Sequence, residues 1–237
     1  MQQIYDRKFI EAKKSEPEFE REYNLKYSGR TGNTFNNLDI DLSIKRYDEL
    51  KISQIPLTHG GQFFIGLDPA SGSSKTACVV SNHIVVEDPI TKVPKDIIRL
   101  VFAEEYEKPS ASFIVDLCRK LRRQFNYHTA FFIDSSAPFL IRDLRASVNE
   151  DTDNSVKDIS KEDIFQPVVF QQSHKNLLSN LEHLVSKGYL AINPTFDKVI
   201  TALRSAYSVE WDYKKDQSEY DDSCDALMLS CRGYNIK

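Results

Sequence analysis

Phe63-Phe64-Ile65-Gly66-Leu67-Asp68, followed by Pro69-Ala70-Ser71-Gly72-Ser73-Ser74-Lys75-Thr76-Ala77-Cys78-Val79-Val80, is the stretch on which the reading of this chain turns. An apolar run of strand length ends on one carboxylate. A turn of small residues follows, then a second apolar run. The pattern predicts a β-hairpin with an aspartate at its mouth. A carboxylate at the end of a buried strand is costly unless something pairs with it. Divalent cations are suitable partners, because hard cations prefer carboxylate oxygen.

Outward from the hairpin, Thr76 to Glu87 and Ile97 to Tyr106 read as two further strands, joined by a proline-bearing turn from Asp88 to Asp96. Three successive strands make an antiparallel meander. Ser110 is an N-cap for a helix whose Ile114, Leu117, Cys118, Leu121 and Phe125 recur at helical spacing. Arg119, Lys120, Arg122 and Arg123 fall mostly off that stripe, as either a solvated face or a phosphate-contacting one. Thr129 to Asp134 is another apolar strand ending on an aspartate, and Ser136 and Pro138 open the next helix. A helical crossover after a meander predicts that this strand runs parallel to the first. Asp68 and Asp134 then emerge at the same sheet edge.

The remainder is expected to alternate. Glu150 to Asp163 reads as an acidic surface loop and Phe165 to Phe170 as a strand. Ser173 caps a helix ended by Gly188, Tyr189 to Ile192 is a strand, and Asn193-Pro194 opens a helix with Tyr207 inward. His174 and Lys175, in the first turn of the Ser173 helix, are a surface pair or a phosphate contact. From Asp222 a last helix is expected. Asp222 and Asp225 share a face of it, and the macrodipole relieves part of their repulsion. Residues 1–58 are read as an arm or linker around a main domain of residues 59–237, with a possible helix from Tyr5 to Tyr23 interrupted at Pro17, a loop from Leu25 to Asn37 and a short helix from Ser43 to Leu50.

Composition bounds the function. The 237 residues are 41% apolar and 28% charged, enough for a real core, and the net charge of -4 excludes a passive, strongly basic nucleic-acid coat. Four scattered cysteines without a C-x-x-C pair read as reduced thiols. The histidines lack metal-ligand spacing, so zinc is disfavoured and aspartate points to magnesium or manganese. Met1 leads into polar and charged residues, so no signal peptide is expected, nor a membrane span. No G-x-x-x-x-G-K-[ST] occurs, so the chain holds no P-loop ATPase.

Taken together, Glu18-Phe19-Glu20-Arg21-Glu22-Tyr23-Asn24-Leu25 with its Gly/Asn turn, Gly66-Leu67-Asp68-Pro69-Ala70, Phe132-Ile133-Asp134-Ser135 and Asp221-Asp222-Ser223-Cys224-Asp225-Ala226-Leu227 resemble, in order and spacing, the nuclease domain of the large terminase subunit of tailed viruses. The resemblance covers residues 16–232. It implies an RNase H-like α/β fold, with a mixed central sheet flanked by helices, and a metal-dependent endodeoxyribonuclease that cuts concatemeric viral DNA during genome packaging. Asp68, Asp134 and Asp225 fall on the family's metal ligands, with Asp222 accessory, around two Mg²⁺ or Mn²⁺ ions. Lys75, Lys175, Arg119 and Arg123 are candidates for the DNA backbone. The implied partners are double-stranded DNA, an ATPase motor, a small terminase subunit and a portal, in the host cytoplasm. The chain departs from the family's full-length pattern in lacking the motor, which is expected either ahead of it in a longer protein or on a separate chain.

Three other readings use the same residues. A Holliday-junction resolvase or transposase-type nuclease would share the metals and prefer branched DNA. An actin-like ATP-binding module is suggested by Asp68, Gly72 and Thr76, though the chain's eight glycines supply no second phosphate loop. A packaging domain that docks partners without cutting would have little use for the aspartates.

Overall fold

The computed structural model describes residues 32–69, 75–125, 128–147, 164–209, 212–215 and 218–234. The expected helix from Tyr5 to Tyr23, the turn from Ala70 to Ser74 and the acidic loop from Glu150 to Asp163 lie outside the described residues.

The elements in chain order are β1 (Gly32–Asn33), α1 (Asn37–Glu49), a 3-10 turn (Ile52–Gln54), β2 (Phe63–Asp68), β3 (Lys75–Glu87), β4 (Pro94–Glu107), α2 (Ala111–Gln124), β5 (Thr129–Asp134), α3 (Pro138–Ser147), β6 (Phe165–Val168), α4 (Phe170–Ser186), β7 (Leu190–Ala191), α5 (Asp197–Ser205), β8 (Tyr207–Val209), β9 (Asp212–Tyr213) and α6 (Asp221–Cys231). A six-stranded sheet in the order β6-β5-β2-β3-β4-β7 forms the centre, and β1, β8 and β9 form a small three-stranded sheet. The meander β2-β3-β4 is antiparallel, while β5 runs parallel to β2 and β6 parallel to β5. This is the expected RNase H-like α/β arrangement.

Strand alternation splits the core into two layers. Phe63, Ile65, Leu67, Phe131 and Ile133 face α2 and α3 on one side. Ala77, Val79 and Phe132 face α4, α5 and α6 on the other. The described end of the N-terminal section packs onto the second layer: Phe35 and Ile40 are fully buried in it. Buried Arg99 donates to the carbonyls of Ile55, Pro56 and His59 and to Asn82 Oδ1 at 2.7–3.0 Å, tying the segment before β2 to the sheet.

Several boundaries differ from expectation. Helix α1 begins at Asn37, six residues before the expected start at Ser43, because Asn36 Oδ1 accepts from the Leu38 amide at 2.9 Å and caps it there. Helix α4 begins at Phe170, so β6 is shorter than its apolar run and Ser173 lies inside the helix. Asn193-Pro194 forms a turn, with Asn193 Oδ1 accepting from Thr195, and α5 starts only at Asp197. Tyr207 lies in β8, beyond the end of α5. Among the described residues no helix is long and apolar enough to cross a membrane.

Candidate metal centre

The parallel register of β2 and β5 pairs Leu67 with Ile133, which sets Asp68 beside Asp134 at the carboxyl ends of neighbouring strands. Across the other side of β2, Asp68 pairs with Ala77, and Ala77 pairs with Glu105 of β4. Asp134, Asp68, Ala77 and Glu105 therefore form one row across the sheet, on the face that carries α6. Adjacent strands lie about 4.8 Å apart, so the row brings three acidic residues within about 15 Å.

Helix α6 supplies the remaining carboxylates, and Gly66 decides how close it comes. A Cβ on Gly66 would lie 1.9 Å from the Ala226 carbonyl oxygen and 2.5 Å from the Ser230 amide. Glycine is thus required for the helix backbone to rest on the strand. Gly66 and Asp68 are two apart and share a face, so the helix that sits on Gly66 brings its first turns to Asp68. Ser81 Oγ donates to the Ser230 carbonyl at 3.2 Å and the Asn180 amide group to the Cys231 carbonyl at 3.0 Å, fixing the far end.

Each carboxylate has a distinct environment. Asp225 is 1% exposed; its Oδ2 accepts from the Lys215 ammonium, while its buried Oδ1 has no hydrogen-bond partner. Asp222 Oδ2 accepts from the Lys75 amide at 3.1 Å. Asp134 accepts from the amide and hydroxyl of Ser136 at 3.1 and 3.0 Å. Burial and the neighbouring charges of Asp225, Asp222 and Asp134 push the Asp68 carboxyl up to about 8, against a pull from Lys215. Burial likewise raises Asp225 to about 7, and Asp222 is raised by burial. Burial works against protonation of Lys215, but the carboxylates of Asp225, Asp68 and Asp221 outweigh it and raise its pKa.

This excess of negative charge at one sheet edge is the setting for a hard cation. All-carboxylate donors and an orphaned buried Oδ1 on Asp225 fit Mg²⁺ or Mn²⁺ in donor type. Among the described residues, no three side chains of His, Cys, Asp or Glu already stand close enough to hold an ion. Each carboxylate is instead held by a protein donor: Lys215 sits on Asp225, Ser136 on Asp134 and the Lys75 amide on Asp222.

The expected DNA-contacting residues separate. Lys75 lies at the centre, its Nζ 3.6 Å from Glu105 Oε2. Lys175 is exposed in the first turns of α4, the helix whose Phe170 ring lies 6.0 Å from Lys215 Nζ. Arg119 and Arg123 ride on α2, which covers the opposite face of the sheet. Three residues at the centre escape a reading by motif: Glu105, Lys198 and Lys215. Glu105 is an inward-facing acid two residues after Ala103 on an otherwise apolar strand face, a signal that alternation could have raised. Lys198 and Lys215 carry no local signal, since lysine is usual on helix and loop surfaces.

No protein-family model matches the sequence, and no curated protein matches it. Solved structures do. The large terminase nuclease of the thermophilic phage G20c superposes with a TM-score of 0.55 at 16% identity, covering 86% of this chain and 100% of that one. That nuclease with bound magnesium matches at 0.55 as well. The large terminase of the thermophilic bacteriophage D6E gives 0.58 at 12% identity over 95% of this chain. This chain spans about half of that protein, 51% of its length. The human cytomegalovirus terminase nuclease domain gives 0.50 at 11% identity, covering 83% and 93%. The chain has the fold of these nuclease domains.

Proposed function

We propose that this chain is a divalent-metal-dependent endonuclease that hydrolyses DNA phosphodiester bonds, acting as the nuclease part of a viral DNA-packaging terminase. The observation that carries the reading is the meeting of Asp68, Asp134 and the first turns of α6 on one face of an RNase H-like sheet. The G20c nuclease, which shares the fold, has been solved with magnesium and with cobalt.

In this reading Asp68, Asp134 and Asp225 would hold two Mg²⁺ or Mn²⁺ ions, with Asp222 assisting. Bound there, the ions would supply Lewis-acid activation of water and charge stabilisation at the scissile phosphate. Asp68, beside Asp134 in the sheet and coupled electrostatically to Asp225, would contribute its carboxylate to holding the ions. Lys215 holds Oδ2 of Asp225, and the buried Oδ1, which has no hydrogen-bond partner, would be the oxygen offered to an ion. Lys75 would face the DNA backbone, and Lys175, on α4, lies on the same side of the sheet. Contacts of this kind bind without reading sequence. The ATPase motor, the small subunit, the portal and concatemeric viral DNA as substrate are part of the same proposal, as is action in the host cytoplasm.

The test is nicking and linearisation of supercoiled plasmid with Mn²⁺, Mg²⁺ or EDTA, wild type beside Asp68→Ala. Metal-dependent cutting that falls at least ~10³-fold in the variant is expected. A folded wild type that cuts with no metal, or a fully active Asp68→Ala, would sink the proposal. Strong preference for a four-way junction over linear duplex would move it to the resolvase-type reading.

A further inference from the structure

Glu105 lies outside the aspartate set, and its surroundings are unusual. Its side chain is 1% exposed. Oε1 accepts from Ser223 Oγ of α6 at 2.6 Å. Oε2 is buried and has no hydrogen-bond partner, yet two ammonium groups approach it: Lys75 Nζ at 3.6 Å and Lys198 Nζ at 3.5 Å. Both distances exceed hydrogen-bond length, so the carboxylate tethers the lysines electrostatically without consuming their donors.

The two lysines are half-exposed, with side-chain exposures of 37% for Lys75 and 46% for Lys198. They come from different elements, Lys75 opening β3 and Lys198 in the first turn of α5. The Lys75 backbone N–H donates to Asp222 Oδ2, which fixes the start of β3, and the Tyr220 ring lies 5.6 Å from Nζ. Lys198 borders a cavity of about 290 Å³ whose lining includes Thr195, Asp197 and Ser223. The negative charge is underneath and sealed; the two positive charges face outward with free N–H donors. Lysine flexibility ordinarily weakens a phosphate site, and a shared buried counter-charge removes much of that freedom before a ligand arrives.

We propose that Lys75 and Lys198, held together by buried Glu105, form a phosphate-binding subsite for the backbone of duplex DNA beside the aspartate cluster. The subsite rests on the nuclease reading for its ligand. Glu105 acts as a positioning residue: it orients the lysines and, through Ser223, ties them to the helix that carries Asp222 and Asp225.

The experiment is fluorescence-anisotropy binding of a short labelled DNA duplex across a KCl series in EDTA, for wild type, Lys198→Ala, Lys75→Ala and Lys198→Arg. Each alanine variant is expected to lose several-fold in affinity and to flatten the slope of log K against log[salt] by about 1. Lys198→Arg should restore the slope. Mn²⁺ binding to Lys198→Ala, followed by electron paramagnetic resonance, should match wild type, as should its urea midpoint. Wild-type slopes in both alanine variants would overturn the subsite. So would weakened binding of inorganic phosphate with an unchanged duplex slope, which would mark a small-anion site. Because binding is read without metal, a wild type that binds duplex but never cuts would sink the nuclease reading and leave the subsite standing.

Discussion

Asp68 and Asp225 hold protons far above the ordinary carboxylate value of 3.8, because each is buried and faces other acids. The folded chain therefore binds these protons more tightly than the unfolded chain. By linkage, their stabilisation is fully present below about pH 4 and is lost as pH rises towards about 8. Without divalent metal, the melting temperature should fall as pH rises across that window. Asp68→Asn should flatten the descent. Thermal melts over a pH series in EDTA check it, and an unchanged slope in the variant contradicts the electrostatic account.

Among the elements, α6 and β2 depend on one missing side chain. Gly66→Ala would drive a Cβ into the backbone of Ala226 and Ser230, and backbone cannot swing aside as a flexible side chain can. The helix must lift from the sheet, at a cost of about 3 kcal/mol or more. Asp222 and Asp225 would move with it, so plasmid cutting should fall together with the urea midpoint. A variant with wild-type midpoint and activity would show that the close approach is dispensable. The sequence offered half of this: it showed a glycine two residues before the aspartate and a late helix with two aspartates on one face. It did not show that the helix lies on that glycine, because the contact joins segments about 160 residues apart in the chain. Element boundaries failed where local side-chain bonds decide them, as at Asn36 and Asn193, since an Asx cap and an Asx turn use the same residue type.

For the whole molecule, the sheet and α6 gather carboxylates whose charge a divalent cation can neutralise. Saturating Mn²⁺ should raise the melting temperature by roughly 5–10 °C, in line with about 2.7 kcal/mol at a hundredfold excess over Kd. EDTA should reverse the shift and Asp225→Asn should abolish it. Differential scanning fluorimetry measures this directly, and a shift that persists in the variant would place the ion elsewhere.

The sequence by itself determined the layered α/β architecture, the antiparallel meander, the parallel return of β5 and the meeting of Asp68 with Asp134. Those follow from the two-residue alternation of strands, the spacing of helices and the handedness of a crossover, all of which are local or nearly so. Only the tertiary structure decided that Glu105 stands in the same row as Asp68, that Lys198 and Lys215 close over the carboxylates, and that α2 carries Arg119 and Arg123 to the far face. These depend on strand register and on which sheet face each helix covers, and a one-residue slip in register would turn Glu105 away from the site.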